Sequence, residues 1–403
     1  MIELLVYVIG IALAFLIAWG LGANDAANPT ECAVGAGVIS IKKAILIFSL
    51  FAALGGILLG PFVMKTVDRG IVPRELLSLE MVTVGSFTAV AAAGIWIIFS
   101  TWLGMPISTT HSIIGGIFGF GLIAAPTLIN WGNFSIVIIS LIVSPILSIL
   151  LAGGLFFLLR FHLRKSGGKG SPKVIYLLIF ILSFATSTTV FNKILKWGVI
   201  DTLAGGIIAS LVLSSVSLLV FQKIYGKFGT TQSLSYLLII ALCFSAFSFG
   251  ANDMANATGV FVTPTEKLAG TPTLDTMVLL SIIGAIGITV GGLTWGYKVI
   301  TTSAFQITRL DPLTGAAAEY SNAATVFIFT TLPVFLIGFG MPISTTHASI
   351  GSLIGVGLAN RGLTGIDMKT TSKIFSFWIL TIPAVALISM TLFSLLSQVM
   401  VIK

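Results

Sequence analysis

Charge is what this chain has least of. Only 8% of its 403 residues are Asp, Glu, Lys or Arg, against roughly 25% in a soluble domain. A chain so poor in charge cannot clothe a water-facing surface. Cysteine is nearly absent too: Cys32 and Cys243 stand alone, which excludes a disulfide framework and a cysteine-based metal site. No Gly-rich loop leads to a Lys, and neither a nucleophile elbow nor a His-Glu zinc motif occurs, so nothing argues for an enzyme. The net charge of +8 comes without any basic stripe interleaved with aromatics, and therefore does not point to nucleic acid. The first apolar segment carries Glu3 in place of a basic n-region, and it reads as a retained helix, not a cleaved leader.

Apolar sequence is what the chain has instead. Hydrophobic residues make up 56% of it, in runs of about twenty residues, the length a helix needs to cross a bilayer core. The expected fold class is an all-α polytopic membrane protein. Spans are predicted near 2–21, 44–64, 81–104, 107–125 and 134–160, then 174–191 and 203–221, then 234–251, 274–298, 318–340, 343–360 and 374–400, about twelve transmembrane helices in all. The Gly-rich, polar stretch 22–40 is too polar for a simple span and predicts a broken or re-entrant helix. Most Lys and Arg residues fall in gaps that share one side of the membrane when the N-terminus is outside, the orientation the positive-inside bias favours. The run 160–173 fixes topology and meets lipid headgroups.

Two motifs occur twice. Gly-Ala-Asn-Asp opens the segments 22–28 and 250–256, and Gly-Met-Pro-Ile-Ser-Thr-Thr-His at 104–111 recurs unchanged at 340–347. Across the 19 positions 104–122 and 340–358, 13 residues are identical, far beyond chance. The chain therefore divides into a first repeat (1–160), a basic cytoplasmic loop with two spacer helices (161–233) and a second repeat (234–403). Five crossings plus two spacers make the second repeat inverted relative to the first. Inverted repeats with helices broken at matching positions at the midplane are the pattern of secondary transporters.

Asp25 and Asp253 sit at the inner ends of long apolar helices, where a carboxylate costs at least a few kcal/mol unless paired or hydrated. No Lys or Arg lies in either motif. With the amides of Asn24, Asn28, Asn252 and Asn256 they make an oxygen set suited to Na⁺, and Gly22 and Gly250 would let the helix unwind and turn carbonyls inward. Plain N-capping by each Asp is the competing reading. Pro106 and Pro342 end one helix each, and Ser108, Thr109, Thr110 and Ser344, Thr345, Thr346 open the next. Hydroxyls beside the free N–H groups of a helix start suit an oxyanion; ordinary capping would account for one hydroxyl per start. His111 and His347 follow as supporting or gating residues, as does Glu319, whose place in a first helical turn also complements the helix dipole. The glycines at 115, 119, 351 and 355 allow close helix packing.

Together these motifs resemble those of the inorganic phosphate transporter (PiT) family, and the similarity spans nearly the whole chain. The resemblance implies inorganic phosphate as substrate, symported with Na⁺ or, in some bacterial members, with protons or as metal–phosphate complexes. It also implies a multi-pass homodimer in the plasma membrane, with Asp25, Asn28, Asp253 and Asn256 among the functional positions, and a handling role at Glu319. Pro29 and Glu31 depart from the small or apolar residues common after the first motif, and the short central loop 161–173 resembles prokaryotic forms. The expected function is Na⁺-coupled phosphate symport by alternating access. A proton-coupled phosphate or sulfate permease and an uncoupled anion channel remain open, although buried acids would repel an anion in a channel.

Overall fold

The computed structural model describes residues 2–67, 71–73, 76–165, 171–193, 195–226, 229–258, 274–330, 332–333 and 343–399. Its principal elements are helices: α1 (Ile2–Asp25), α2 (Ala27–Gly35), α3 (Ile41–Val67), α4 (Leu79–Trp102), α5 (Thr109–Ala124), α6 (Trp131–Lys165), α7 (Pro172–Lys193), α8 (Val199–Tyr225), α9 (Thr230–Thr258), α10 (Leu274–Gly291), α11 (Tyr297–Gln306), α12 (Pro312–Thr330), α13 (Thr345–Arg361) and α14 (Met368–Val399). A π-helical turn, Gly292–Gly296, joins α10 to α11.

Among the described residues nine helical stretches are long and apolar enough to cross a membrane, which makes this an all-helical polytopic membrane protein. Of the three expected spans outside that set, 318–340 runs into residues outside those described, and the other two have a local cause. The spans expected at 107–125 and 343–360 are helices of 16 and 17 residues, about 25 Å at 1.5 Å per residue, short of the roughly 30 Å hydrocarbon core. Both start late, at Ser108 and Ser344, whose hydroxyls accept the N–H of His111 and His347 at 3.2 and 3.1 Å. The apolar residues before the first start belong to α4 and to the non-helical link after it. Residues 334–342, Pro342 among them, lie outside the described residues.

The helices pack in crossed pairs drawn from the two halves: α1 against α10, α3 against α9, α5 against α14, and α6 against α13. Glycine sets the closeness of all four. A methyl group at Gly22 would stand 1.9 Å from the carbonyl oxygen of Ile288, and one at Gly250 would stand 1.9 Å from that of Ala52. Likewise a Cβ at Gly119 would lie 2.4 Å from the Ala386 oxygen, and one at Gly355 would lie 2.4 Å from the Ile149 oxygen. Small residues let helix backbones touch where lipid supplies no hydrophobic drive for association. The spacer helices α7 and α8 pack on each other, and α8 turns most of its surface outward. The site is thus held by the four crossed pairs, with the spacers to one side.

Candidate functional site

The break in the first helix is slighter than expected and arises elsewhere. α1 runs without unwinding through Gly22 to Asp25, and only Ala26, itself near helical geometry (φ −56°, ψ −22°), separates it from α2. Gly22 serves close packing instead of unwinding. The interruption traces to Pro29, which has no N–H to give the carbonyl of Asp25 four residues earlier and whose ring crowds that carbonyl. Thr30 partly mends the turn by donating its hydroxyl to the Ala26 carbonyl at 2.6 Å. The sequence therefore places Asp25 at the joint between two nearly coaxial helices.

Hydroxyls from both halves of the chain converge on that joint. Thr109 of α5 donates to Asp25 Oδ2 at 2.7 Å, and the Thr346 hydroxyl of α13 lies between two acceptors, the Ile107 carbonyl at 3.1 Å and Asp25 Oδ1 at 3.3 Å. The Asn28 amide nitrogen donates to the Thr346 hydroxyl at 3.1 Å and reaches Thr345 at 3.4 Å. Asp253 of α9 is buried and close enough to interact electrostatically with Asp25. The polar neighbours of Asp25 are thus Thr109, Thr346, Asn28 and a second carboxylate, none of them cationic. Beside them Asn28 Oδ1 is buried with no hydrogen-bond partner. Two acids and an unused amide oxygen, with only uncharged hydroxyl and amide partners around Asp25, leave a negative charge for a cation to balance.

The expected site residues divide by what they do here. Ser108 and Ser344 are spent as helix caps, one hydroxyl per start. Thr109, Thr345, Thr346, Asp25 and Asn28 come together, and Thr110 sits half-buried one residue further along α5. Asn24 turns elsewhere: its amide nitrogen donates to the Thr101 hydroxyl at 2.9 Å and the Met105 carbonyl at 3.1 Å, and its oxygen accepts the Ile107 N–H at 3.1 Å. It latches the link between α4 and α5 to the joint. The side chains of Asn252 and Asn256 lie outside the described residues.

His111 and His347 lie against each other, ring centroids 5.1 Å apart and planes tilted by 35°. His347 stacks on Trp378 at 3.7 Å, and Trp378 donates its indole N–H to the Pro106 carbonyl at 3.0 Å. This aromatic stack props the start of α5 from behind. Trp378 carries no motif that sequence reasoning could have used. Glu319 is not in a first helical turn: α12 starts at Pro312, which puts Glu319 past its second turn, away from the free N–H groups of the start. It is buried and its Oε1 accepts the Ser245 hydroxyl at 2.6 Å.

Comparison with known proteins bears on the same geometry. Residues 21–389 match the family described as the Phosphate transporter family. The chain is 34% identical to a provisionally assigned phosphate permease of Pyrococcus abyssi, over 98% of this chain and 97% of that protein. It is 36% identical to one of Thermococcus kodakarensis, over 96% and 97%, and 31% identical to one of Haemophilus influenzae, over 96% and 95%. Its fold is similar to a solved structure described as the sodium-dependent phosphate transporter, with a TM-score of 0.85 and 33% identity over 98% of this chain and 99% of that one. The match covers the Asp25 joint and both Ser-Thr-Thr helix starts, and the chain belongs to the phosphate transporter family, a multi-pass membrane transporter and not an enzyme.

Proposed function

We propose that the protein is a secondary active symporter that couples inorganic phosphate to Na⁺ by alternating access. The observation that carries this reading is the Asp25 carboxylate, which lies within hydrogen-bond reach of a hydroxyl from each of the two Ser-Thr-Thr helix starts, Thr109 wholly and Thr346 shared with the Ile107 carbonyl. In that state the carboxylate occupies the donors a phosphate oxyanion would need. A Na⁺ ion held by Asp25, Asp253 and the Asn28 amide oxygen supplies the counter-charge, and the Thr109 and Thr346 hydroxyls can then turn to the anion. Asn252 and Asn256 complete the cation set from the second half. Thr110, Thr345 and the N–H groups at the starts of α5 and α13 complete the anion set. The anion site is whole only when the cation site is filled, which is what coupling requires. Each net charge moved inward gains roughly 2.3 kcal/mol per 100 mV.

The same proposal covers the architecture: two inverted repeats at 1–160 and 234–403, the loop and spacers at 161–233 between them, the N-terminus outside, and a homodimer in the plasma membrane. The exchange of partners between crossed pairs supports the repeats, since the contact of Gly22 with Ile288 mirrors that of Gly250 with Ala52. The relative described as sodium-dependent supports Na⁺ as the coupling ion.

Radiolabelled phosphate uptake into proteoliposomes tests it, with Na⁺ replaced by K⁺ at fixed pH and sulfate in excess as competitor. Uptake should need Na⁺ and ignore sulfate. Uptake indifferent to Na⁺ but driven by a pH gradient would transfer the coupling to protons, and uptake needing neither gradient would make the protein a pore.

A further inference from the structure

Beyond Asn28, α2 carries a buried acid that the Asp25 site does not use. Glu31 lies on α2 six residues past Asp25, about 9 Å along a helix, and is fully buried. Its Oε1 accepts the Ser349 hydroxyl of α13, and Ser303 of α11 also faces it. Across from it stands Glu319 of α12, near enough for the two carboxyls to interact electrostatically. The other polar neighbours of Glu319 are Ser245 and Cys32, so every partner of this acid pair is uncharged. Oε2 of Glu31 and Oε2 of Glu319 are both buried with no hydrogen-bond partner. One turn further along α12, on the face that carries Glu319, Asn322 is also buried, and its Oδ1 likewise lacks a partner.

All three orphan atoms are oxygens, and with the carboxyls ionised all three are acceptors. A buried acceptor without a donor costs about 1–3 kcal/mol, and two neighbouring carboxyls without counter-charge cost more. A cation within reach of all three would satisfy them together. Oxygen ligands select a hard ion, and among the described residues no three His, Cys, Asp or Glu side chains group as a transition-metal site would require. Amide and hydroxyl oxygens outnumber the carboxylates, as they do around Asp25, which suits a monovalent ion. The feature belongs to one half only: counting from the repeated motif, the second half has Gly259 where the first has Glu31.

We propose that Glu31, Glu319 and Asn322 hold a Na⁺ ion at a site of their own, separate from Asp25. The proposal adds an ion to the coupling reading above, and it is tested without phosphate so that the two stand or fall apart. The purified full-length protein is equilibrated with ²²Na⁺ in phosphate-free detergent buffer and bound ion per chain is counted. Glu31→Gln should bind one ion fewer than the unsubstituted protein, Asp25→Asn should lose a different ion, and the double variant should lose both. Asn322→Leu, which leaves both acids in place, should weaken one ion by about tenfold or more and decides the matter if Glu31→Gln does not fold. Unchanged stoichiometry and affinity in the folded Glu31→Gln or Asn322→Leu protein would overturn the site. Displacement of that ion by equal Ca²⁺ or Mg²⁺ would overturn its assignment to Na⁺. If Asp25→Asn keeps every ion while Glu31→Gln loses one, the coupling reading falls and this site stands.

Discussion

Asn24 and Asp25 are adjacent and both buried, yet their side chains are committed to different tasks. Asn24 has its amide bound to Thr101, Met105 and Ile107, so Asn24→Leu should strand those partners at about 1–3 kcal/mol for each buried group left unpaired. The expected result is a clear fall in melting temperature in detergent, with Na⁺ affinity of the surviving folded protein unchanged. Asp25→Asn keeps the shape and can still accept from Thr109, so stability should hold or rise once the buried charge is gone, while Na⁺-dependent phosphate uptake should vanish. Measuring melting and uptake on both variants separates the latch from the ligand. Sequence alone cannot make this distinction. It groups Asn24, Asp25 and Asn28 as similar oxygen ligands, because the atoms that claim Asn24 lie 77 and 81 residues away and only folding brings them near. The capping of α5 and α13 by Ser108 and Ser344, by contrast, is local, and it takes two hydroxyls out of the oxyanion set that the repeated triplets suggest.

At the scale of helices, the apolar runs locate most long elements to within a few residues, because crossing a bilayer fixes their length. α12 departs from them, starting at Pro312 and not near 318, and so does the stretch from α10, which runs on through the π turn to Gln306. They mislead at α5 and α13, where apolar residues before the cap extend the run without extending the helix. They mislead again at 22–26, where glycine suggested unwinding and Pro29 turns out to make the break. What glycine does there is set by a helix far off in sequence. Gly22→Ala and Gly250→Ala would each place a methyl group 1.9 Å from a backbone oxygen, and backbone cannot rotate away as a side chain can. Overpacking of this kind costs typically 1–3 kcal/mol or more, and both variants should lose most of their monodisperse peak in size exclusion after mild heating. Gly154→Ala is the control. A Cβ there meets nothing within 4 Å, and in the middle of α6 alanine should stabilise by roughly 0.5–1 kcal/mol. A similar loss in all three would mean that the crossed pairs are not packed as closely as the structure has them.

For the molecule as a whole, closure of the site is the feature that bears most on transport. Asp25, Thr109, Thr346 and Asp253 are each at most 2% exposed, so neither an ion nor an anion can reach the carboxylates while the pairs α1–α10, α3–α9, α5–α14 and α6–α13 stay packed. Transport by alternating access requires these pairs to part on one side at a time, with the glycine contacts as the surfaces that separate and re-form. Thr345, half-buried beside Asn28, is placed to report it. In a background with Cys32→Ala and Cys243→Ala, a Thr345→Cys variant should react with a membrane-impermeant methanethiosulfonate from one side of the membrane in Na⁺ alone. Adding phosphate should slow that reaction and speed the reaction from the opposite side, because a filled site favours crossing. A symporter must show these opposed changes, since its two openings exclude each other. Reaction from both sides at once, unaffected by Na⁺ and phosphate, would instead describe a continuous pore lined by the same hydroxyls.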